Sequence, residues 1–426
     1  MPVEMHSGCF GCISRKQRFG FRNVRFLKHL HANEFGKLRS PEPCQDRWPS
    51  AVDSGGRLYC YCAMRYRMCA SQHGSNPSQS SVTSIHNIQY LRGLAACAVV
   101  CFHVSEQFGG PFAVGAAGVD VFFVISGFIM WVTTAGKPAV PWRFMARRIT
   151  RIVPLYWIVT LLTAAGILIR PQFFYGHVLS LPNFVGSLFF LPVLQGDALH
   201  PVVIQGWTLC YEMMFYLVFT LVLFLGERWR LGVLIGALAA IVGLHFVLPA
   251  GYAYAYAFSD PVVLEFAAGV IVGRLWRQGA RIPLGAALTM VGAGFLLLAV
   301  GPLFHADVPR ALRWGIPATL IVAGAVFAER ARPFRPLALP GFLGDASYSI
   351  YLWHVLAAVA ATGIVLRIGI PATLQPTVIV VVTIAFSAVL YLLVEKPLVR
   401  LLHSPRAKGA AKARHAAAAR VASGQS

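Results

Sequence analysis

Several polar groups stand inside long apolar runs of this chain, and their types define the chemistry it could perform. YLRGLAACAVVCFHV, residues 90–104, carries Arg92 and His103. Eleven residues at about 100° each make three turns plus roughly 20°, so the two share one helix face, about 16 Å apart along the axis. Both are costly in hydrocarbon. Imidazole titrates near neutrality and can accept and return a proton, which makes His103 a candidate general base. On spacing alone, a snorkelling arginine and a histidine bonded to a neighbouring helix serve equally well. GVDVFFVISGFIMW, residues 118–131, places Asp120 among valines and phenylalanines. An unpaired carboxylate there costs about 3 kcal/mol, so a partner is expected, with His103 or Arg92 the nearest. Gly115, Gly118, Ser126 and Gly127 read as small residues that let a neighbouring helix approach.

PWRFMARRITRIVPLYW, residues 141–157, holds Arg143, Arg147, Arg148 and Arg151. A positively charged anchor beside a span explains them, and so does a site for a phosphorylated ligand, because the planar guanidinium grips phosphate at two points. QGWTLCYEMMFYLVF, residues 205–219, brings Glu212 about a turn into an apolar run, and FLGDASYSIYLWH, residues 342–354, crowds Asp345, Tyr351 and His354 at one helix start. Asp345 reads as an N-cap, and His354 as a second intramembrane imidazole. Cys97 and Cys101 read as packing residues, since nothing nearby would favour their thiolates.

These residues need elements to position them, and the composition says which. The chain has 426 residues, 57% hydrophobic and 12% charged, with a mean hydropathy of +0.63. That balance is expected of an all-α, polytopic integral membrane protein. Ten apolar runs are long enough to span a bilayer: 86–106, 112–134, 152–169, 207–226, 230–249, 261–277, 283–302, 311–328, 346–366 and 373–395. Residues 183–194, interrupted by Pro182 and Pro192, are too short and read as an interfacial or re-entrant helix. Basic residues concentrate in the loops 137–151, 227–230, 274–281 and 329–335 and in the tail from 396. With ten spans, the positive-inside rule puts both termini in the cytoplasm of a plasma-membrane protein. The net charge of +21 follows from these loops, with no motif for nucleic acid. Residues 1–83 are polar, basic and aperiodic, and read as a disordered cytoplasmic tail or as an artefact of the assigned start, with Met64 or Met68 the true beginning. Residues 401–426 read as a basic cytoplasmic tail. The cysteine spacing matches no zinc template, so no metal is expected.

Five motifs occur in order: RG-x-A-A with a histidine eleven residues after its arginine, GVDVFFVISGF, RRITRIVPLYW, WTLCYEMMFY and LGDASYSIYLWH. Together they resemble the membrane-bound acyltransferase family 3 over residues 84–400, and NIQYLRG with PVVIQGWTLCYEMMFY is most similar to its exopolysaccharide-production (ExoZ-like) branch. The resemblance implies an O-acyltransferase that moves an acyl, in the first place acetyl, group from cytosolic acyl-CoA to a hydroxyl of a polysaccharide or lipid-linked glycan. No bound cofactor is implied; acetyl-CoA is a co-substrate. Arg92 and His103 match the family's characteristic pair, and Arg148 and Arg151 match a basic pair implicated in handling the donor. No appended periplasmic domain is expected. Combined with the residue chemistry, the expectation is that Arg147, Arg148 and Arg151 bind the donor, Arg92 holds the entrance, His103 acts as general base on the sugar hydroxyl or takes the acyl group itself, Asp120 orients its ring, and Glu212, Tyr351 and His354 line the acceptor side. The competing expectation is a transporter exporting a glycan or lipid, with His103, Asp120 and Glu212 as a proton relay.

Overall fold

The computed structural model describes residues 85–138, 140–174, 179–195, 198–248, 253–303 and 308–403. Ahead of these, Ala51–Val52 (β1) and Leu58–Tyr59 (β2) pair antiparallel within a separate unit, Met1–Thr83. Apart from these strands and residues 401–403, the expectations for 1–83 and 401–426 lie outside the described residues.

The unit from Ser84 onward is helical. Its first half contains α1 (His86–Gln107), α2 (Gly118–Thr134), α3 (Pro141–Ile169), α4 (Leu181–Leu188), α5 (Trp207–Val222), α6 (Glu227–Val247) and α7 (Ala253–Phe258). The second half contains α8 (Leu264–Arg277), α9 (Leu284–Val300), α10 (Ile316–Ala331), α11 (Ala338–Asp345), α12 (Ser347–Arg367), α13 (Gln375–Leu390) and α14 (Lys396–His403). Among the described residues, nine helical segments are long and apolar enough to cross a membrane. The tenth expected run, 207–226, is α5, whose 16 residues are preceded by a 3₁₀ turn, Ile204–Gly206. Outward-facing Leu161, Phe246 and Leu288 stay exposed, as a lipid-facing surface requires. The chain is a polytopic, all-α, multi-pass membrane protein.

Two expected local features differ. Residues 141–151 are not a loop: they form the first turns of α3, entered through Pro141 at its N-terminus. Charge set the limit of the apolar run, whereas the helix continues beyond it. The expected helix over 183–194 is shorter, α4, and gives way to an antiparallel pair, Leu194–Gln195 (β3) with Ala198–Leu199 (β4).

Glycines bring the central helices together. A Cβ at Gly127 would lie 2.1 Å from the Phe266 carbonyl oxygen, and one at Gly269 would lie 2.0 Å from that of Val124, so α2 and α8 meet backbone to backbone. Gly115 and Gly118 press likewise on the carbonyls of Ala98 and Ala95 in α1. Phe266 fills the space beyond, its ring 4.4 Å from Phe215 and 4.7 Å from Phe123. The N-terminus of α1 has no cap of its own. The Glu329 carboxylate from α10 accepts from the backbone N–H of His86 at 2.9 Å and of Asn87 at 2.8 Å. An acidic group on those orphan donors fixes where α1 starts, and with it the position of Arg92.

Candidate active site

Arg92 and His103 stand on one helix but face two different cavities. Arg92 lines a cavity of about 100 Å³ together with Arg148 and Arg151 from α3, Glu212 from α5 and Tyr348 from α12. Its one side-chain hydrogen bond among the described residues is to Gln89 Oε1 at 3.3 Å, which leaves most of its donors to the cavity. Arg148 is held by aromatic faces, its guanidinium 5.7 Å from the centre of Phe144 and 5.8 Å from that of Tyr216. Its buried Nε has no partner among the described residues. Arg147 is exposed and is not part of this lining. Residues 147 and 148 each lie about one turn before 151, so helical spacing alone does not choose between them; of the two, it is Arg148 that lines the cavity.

Glu212, expected from sequence beside His354, lines this arginine cavity and not that of His103. Its carboxylate accepts from Ser126 Oγ at 2.7 Å and from the Tyr216 hydroxyl through a short hydrogen bond. Ser126, read as a packing residue, is therefore a polar support. Three arginines against one carboxylate leave the lining with an excess of positive charge, suited to an anionic ligand.

His103 lines the second cavity, of about 180 Å³, with Gln205, His354 and Gln107. Gln107 is the exposed last residue of α1, so this cavity reaches the end of the helix opposite Arg92. The rings of His103 and His354 stack 5.1 Å apart at 26°. The carboxylate beside His103 is Glu106, its Oε2 3.6 Å from Nδ1. This distance suits an ion pair rather than a hydrogen bond. His354 is 1% exposed, and its Nδ1 contacts the Tyr351 carbonyl oxygen at 2.5 Å. A carbonyl only accepts, so the proton sits on Nδ1, and in the neutral ring Nε2 is an acceptor.

A hydrogen-bonded wall separates the cavities. Tyr351 and Thr208 line the arginine side and Gln205 lines the histidine side. The Tyr351 hydroxyl lies 2.7 Å from Thr208 Oγ1 and donates to the Gln205 carbonyl oxygen at 2.9 Å, while Gln205 Nε2 donates to the Leu352 carbonyl at 2.7 Å. Tyr351 thus belongs to the wall, and of the three expected acceptor-side residues only His354 faces the cavity of His103.

Asp120 does not orient His103. Its fully buried carboxylate is taken by Arg310, with Nη2 to Oδ2 at 2.7 Å and Nε to Oδ1 at 3.1 Å. The same Nη2 reaches the Ala116 carbonyl at 3.1 Å. Arg310 lies over Trp314 at 4.7 Å and Trp207 at 5.6 Å, where a π-helical turn, Ala311–Gly315, begins. The expected relay also does not form, because His103, Asp120 and Glu212 each engage a different set of partners. Asp345 caps nothing: it ends α11, and the residue before α12 is Ala346, without a side-chain cap. Ser349 of α12 instead bonds Glu395, Oγ to Oε2 at 2.7 Å. Arg310, Glu106, Gln205 and Glu395 were not singled out in sequence. Only Arg310 carried a signal, as an isolated charge at a span edge.

Comparison with known proteins covers the same stretch of chain. The profile of the acyltransferase 3 family, described as an acyltransferase domain, matches residues 85–392. The chain is 43% identical over 306 residues to the exopolysaccharide production protein ExoZ of Rhizobium meliloti (strain 1021), covering 70% of this chain and 94% of that protein. It is 31% identical over 291 residues to the putative membrane-bound transacylase BcsY of Komagataeibacter xylinus, covering 63% of this chain and 71% of that one. It is 23% identical over 310 residues to the peptidoglycan O-acetyltransferase OatA of Listeria monocytogenes, covering 63% of this chain and 49% of OatA. No solved structure matches. A profile spanning most of the chain, over the helices that build both cavities, makes this protein a member of the acyltransferase 3 family and a membrane-bound acyltransferase.

Proposed function

We propose that the protein transfers an acyl group, in the first place acetyl, from acyl-CoA to a hydroxyl of an exopolysaccharide or other surface glycan. It would do so in the inner membrane with both termini cytoplasmic. The observation that carries this reading is the pair of cavities at two levels of one helix, arginine-lined at one and histidine-lined at the other, with a thin wall between. The names of the similar proteins, an exopolysaccharide production protein and a peptidoglycan O-acetyltransferase, support a glycan acceptor.

In this mechanism the phosphates of the donor meet Arg148, Arg151 and Arg92 at the cytosolic end, and the thioester enters the arginine cavity. The wall opens when the Tyr351 hydroxyl releases Thr208 or Gln205, which brings the acyl carbon to the cavity of His103. There the imidazole takes the proton of the acceptor hydroxyl as its oxygen attacks the thioester carbonyl. The C–S bond breaks, the ester forms, and the coenzyme thiolate leaves and recovers the proton. Glu106 supports the charged imidazolium. Asp120 and Arg310 are an internal ion pair that fixes α2 against the π-helical turn, and they take no part in the chemistry.

The test is the surface glycan of cells with and without this gene. Loss of ester-linked acyl groups from a polymer still exported in normal amount is the expected result. Loss of the polymer itself, with no acyl-donor turnover by the purified protein, would overturn the reading in favour of transport.

A further inference from the structure

The histidine cavity contains two buried acceptors with nothing to accept. Among the described residues, Gln205, 3% exposed, has no partner for its Oε1, and His354, 1% exposed, has none for its Nε2. In both side chains the other polar atom is spoken for: Gln205 Nε2 donates to the Leu352 carbonyl at 2.7 Å, and His354 Nδ1 meets the Tyr351 carbonyl at 2.5 Å. Because carbonyls only accept, these contacts settle the orientation of the amide and the tautomer of the ring, and both free atoms are acceptors. The anchoring carbonyls belong to consecutive residues of α12, about 1.5 Å apart along the helix axis. The two unpartnered acceptors therefore belong to neighbouring side chains that line the same cavity as His103.

A buried acceptor without a donor is unfavourable, and two on one cavity wall call for a ligand that brings O–H or N–H groups. The cavity reaches the end of α1 remote from the arginines, so that ligand enters from the side of the acyl acceptor. We infer, resting on the acyl-transfer reading above, that Gln205 and His354 form a recognition subsite for further hydroxyls of the acceptor sugar. His103 takes the proton of the hydroxyl that reacts; Gln205 Oε1 and His354 Nε2 accept hydrogen bonds from hydroxyls that do not. Sugars offer several hydroxyls close together, and an acceptor with a single isolated hydroxyl leaves both atoms unpaired. The subsite therefore selects polyhydroxylated acceptors over simple alcohols.

The experiment is steady-state transfer by the full chain in detergent, with acetyl-CoA as donor and base-deacylated exopolysaccharide from the source cells as acceptor. Gln205→Met and His354→Phe remove the free acceptor, together with the nitrogen that anchors each side chain to α12, at similar volume, whereas Gln205→Asn keeps the amide and withdraws the same oxygen. The expected result is an acceptor KM raised roughly ten- to a hundredfold in each with an unchanged KM for acetyl-CoA, which reports that the fold and the donor site are kept. Unchanged acceptor KM in the Gln205 and His354 variants overturns the inference. So does a raised KM for acetyl-CoA alone, which would assign these atoms to the amides of the donor's arm. Failure of the wild-type protein to transfer acetyl at all defeats the acyl-transfer reading instead, so the two failures are distinct.

Discussion

Replacing Arg310 by methionine removes the cation that neutralises Asp120 in the interior of the bundle. The Asp120 carboxylate is 0% exposed and receives two arginine donors, at 2.7 and 3.1 Å. Leaving one member of a buried pair uncompensated costs about 3–5 kcal/mol, against a total stability on the order of 5–15 kcal/mol for a typical protein. Asp120→Asn is milder, because the guanidinium keeps the indole faces of Trp314 and Trp207. In a Glu265→Gln background, which neutralises the buried carboxylate that shares Arg310 with Asp120, the double variant Asp120→Leu, Arg310→Met exchanges both charges for apolar groups and is expected within about 1 kcal/mol of its parent. The resulting coupling in a double-mutant cycle is at least about 2 kcal/mol. The assay is denaturant unfolding in micelles, followed by tryptophan fluorescence, with transfer activity measured on the folded fractions. Arg310→Met within about 1 kcal/mol of wild type would refute the stability argument. A well-folded double variant devoid of transfer would refute the view that this pair is structural, and return Asp120 to the chemistry.

Two further outcomes follow from the same geometry. Arg148→Ala and Arg151→Ala each raise the KM for acetyl-CoA about ten- to a hundredfold, the effect of losing a charge-assisted hydrogen bond, whereas exposed Arg147→Ala leaves it unchanged; steady-state kinetics with varied donor decide this. Gly127→Ala and Gly269→Ala force Cβ atoms to within 2.1 and 2.0 Å of backbone oxygens across the α2–α8 contact, costing about 1–3 kcal/mol or more. Gly292→Ala in α9 meets nothing within 4 Å and serves as the neutral control; melting in detergent reads all three.

The spans were legible because each is a continuous apolar run, and solvation by lipid acts on every residue of such a run locally. The helical start of α3 was hidden for the same reason, since Arg143 to Arg151 end the apolar run without ending the helix. The pairing of Arg92 with Arg148 and Arg151 in one lining was readable from charge and side, but the partner of Asp120 was not. Arg310 lies 190 residues further along the chain, and nothing in either local sequence specifies that contact. That Glu212 and His354 line different cavities was not readable, because depth along α5 does not state which cavity a side chain enters; its neighbours Ser126 and Tyr216 decide that. Gln205 was invisible as a functional residue, because an amide at a span edge reads as ordinary until its free oxygen is found buried.

The proposed acyl transfer turns on one role, that of His103 as the base. It is tested most directly by measuring radiolabelled acetyl transfer from acetyl-CoA to deacylated exopolysaccharide with purified wild-type and His103→Ala protein. Loss of a general base lowers the rate by about 10²–10⁴-fold, and this is the result expected for His103→Ala in a protein that still folds and still binds acetyl-CoA. Transfer by His103→Ala at the wild-type rate would contradict the account.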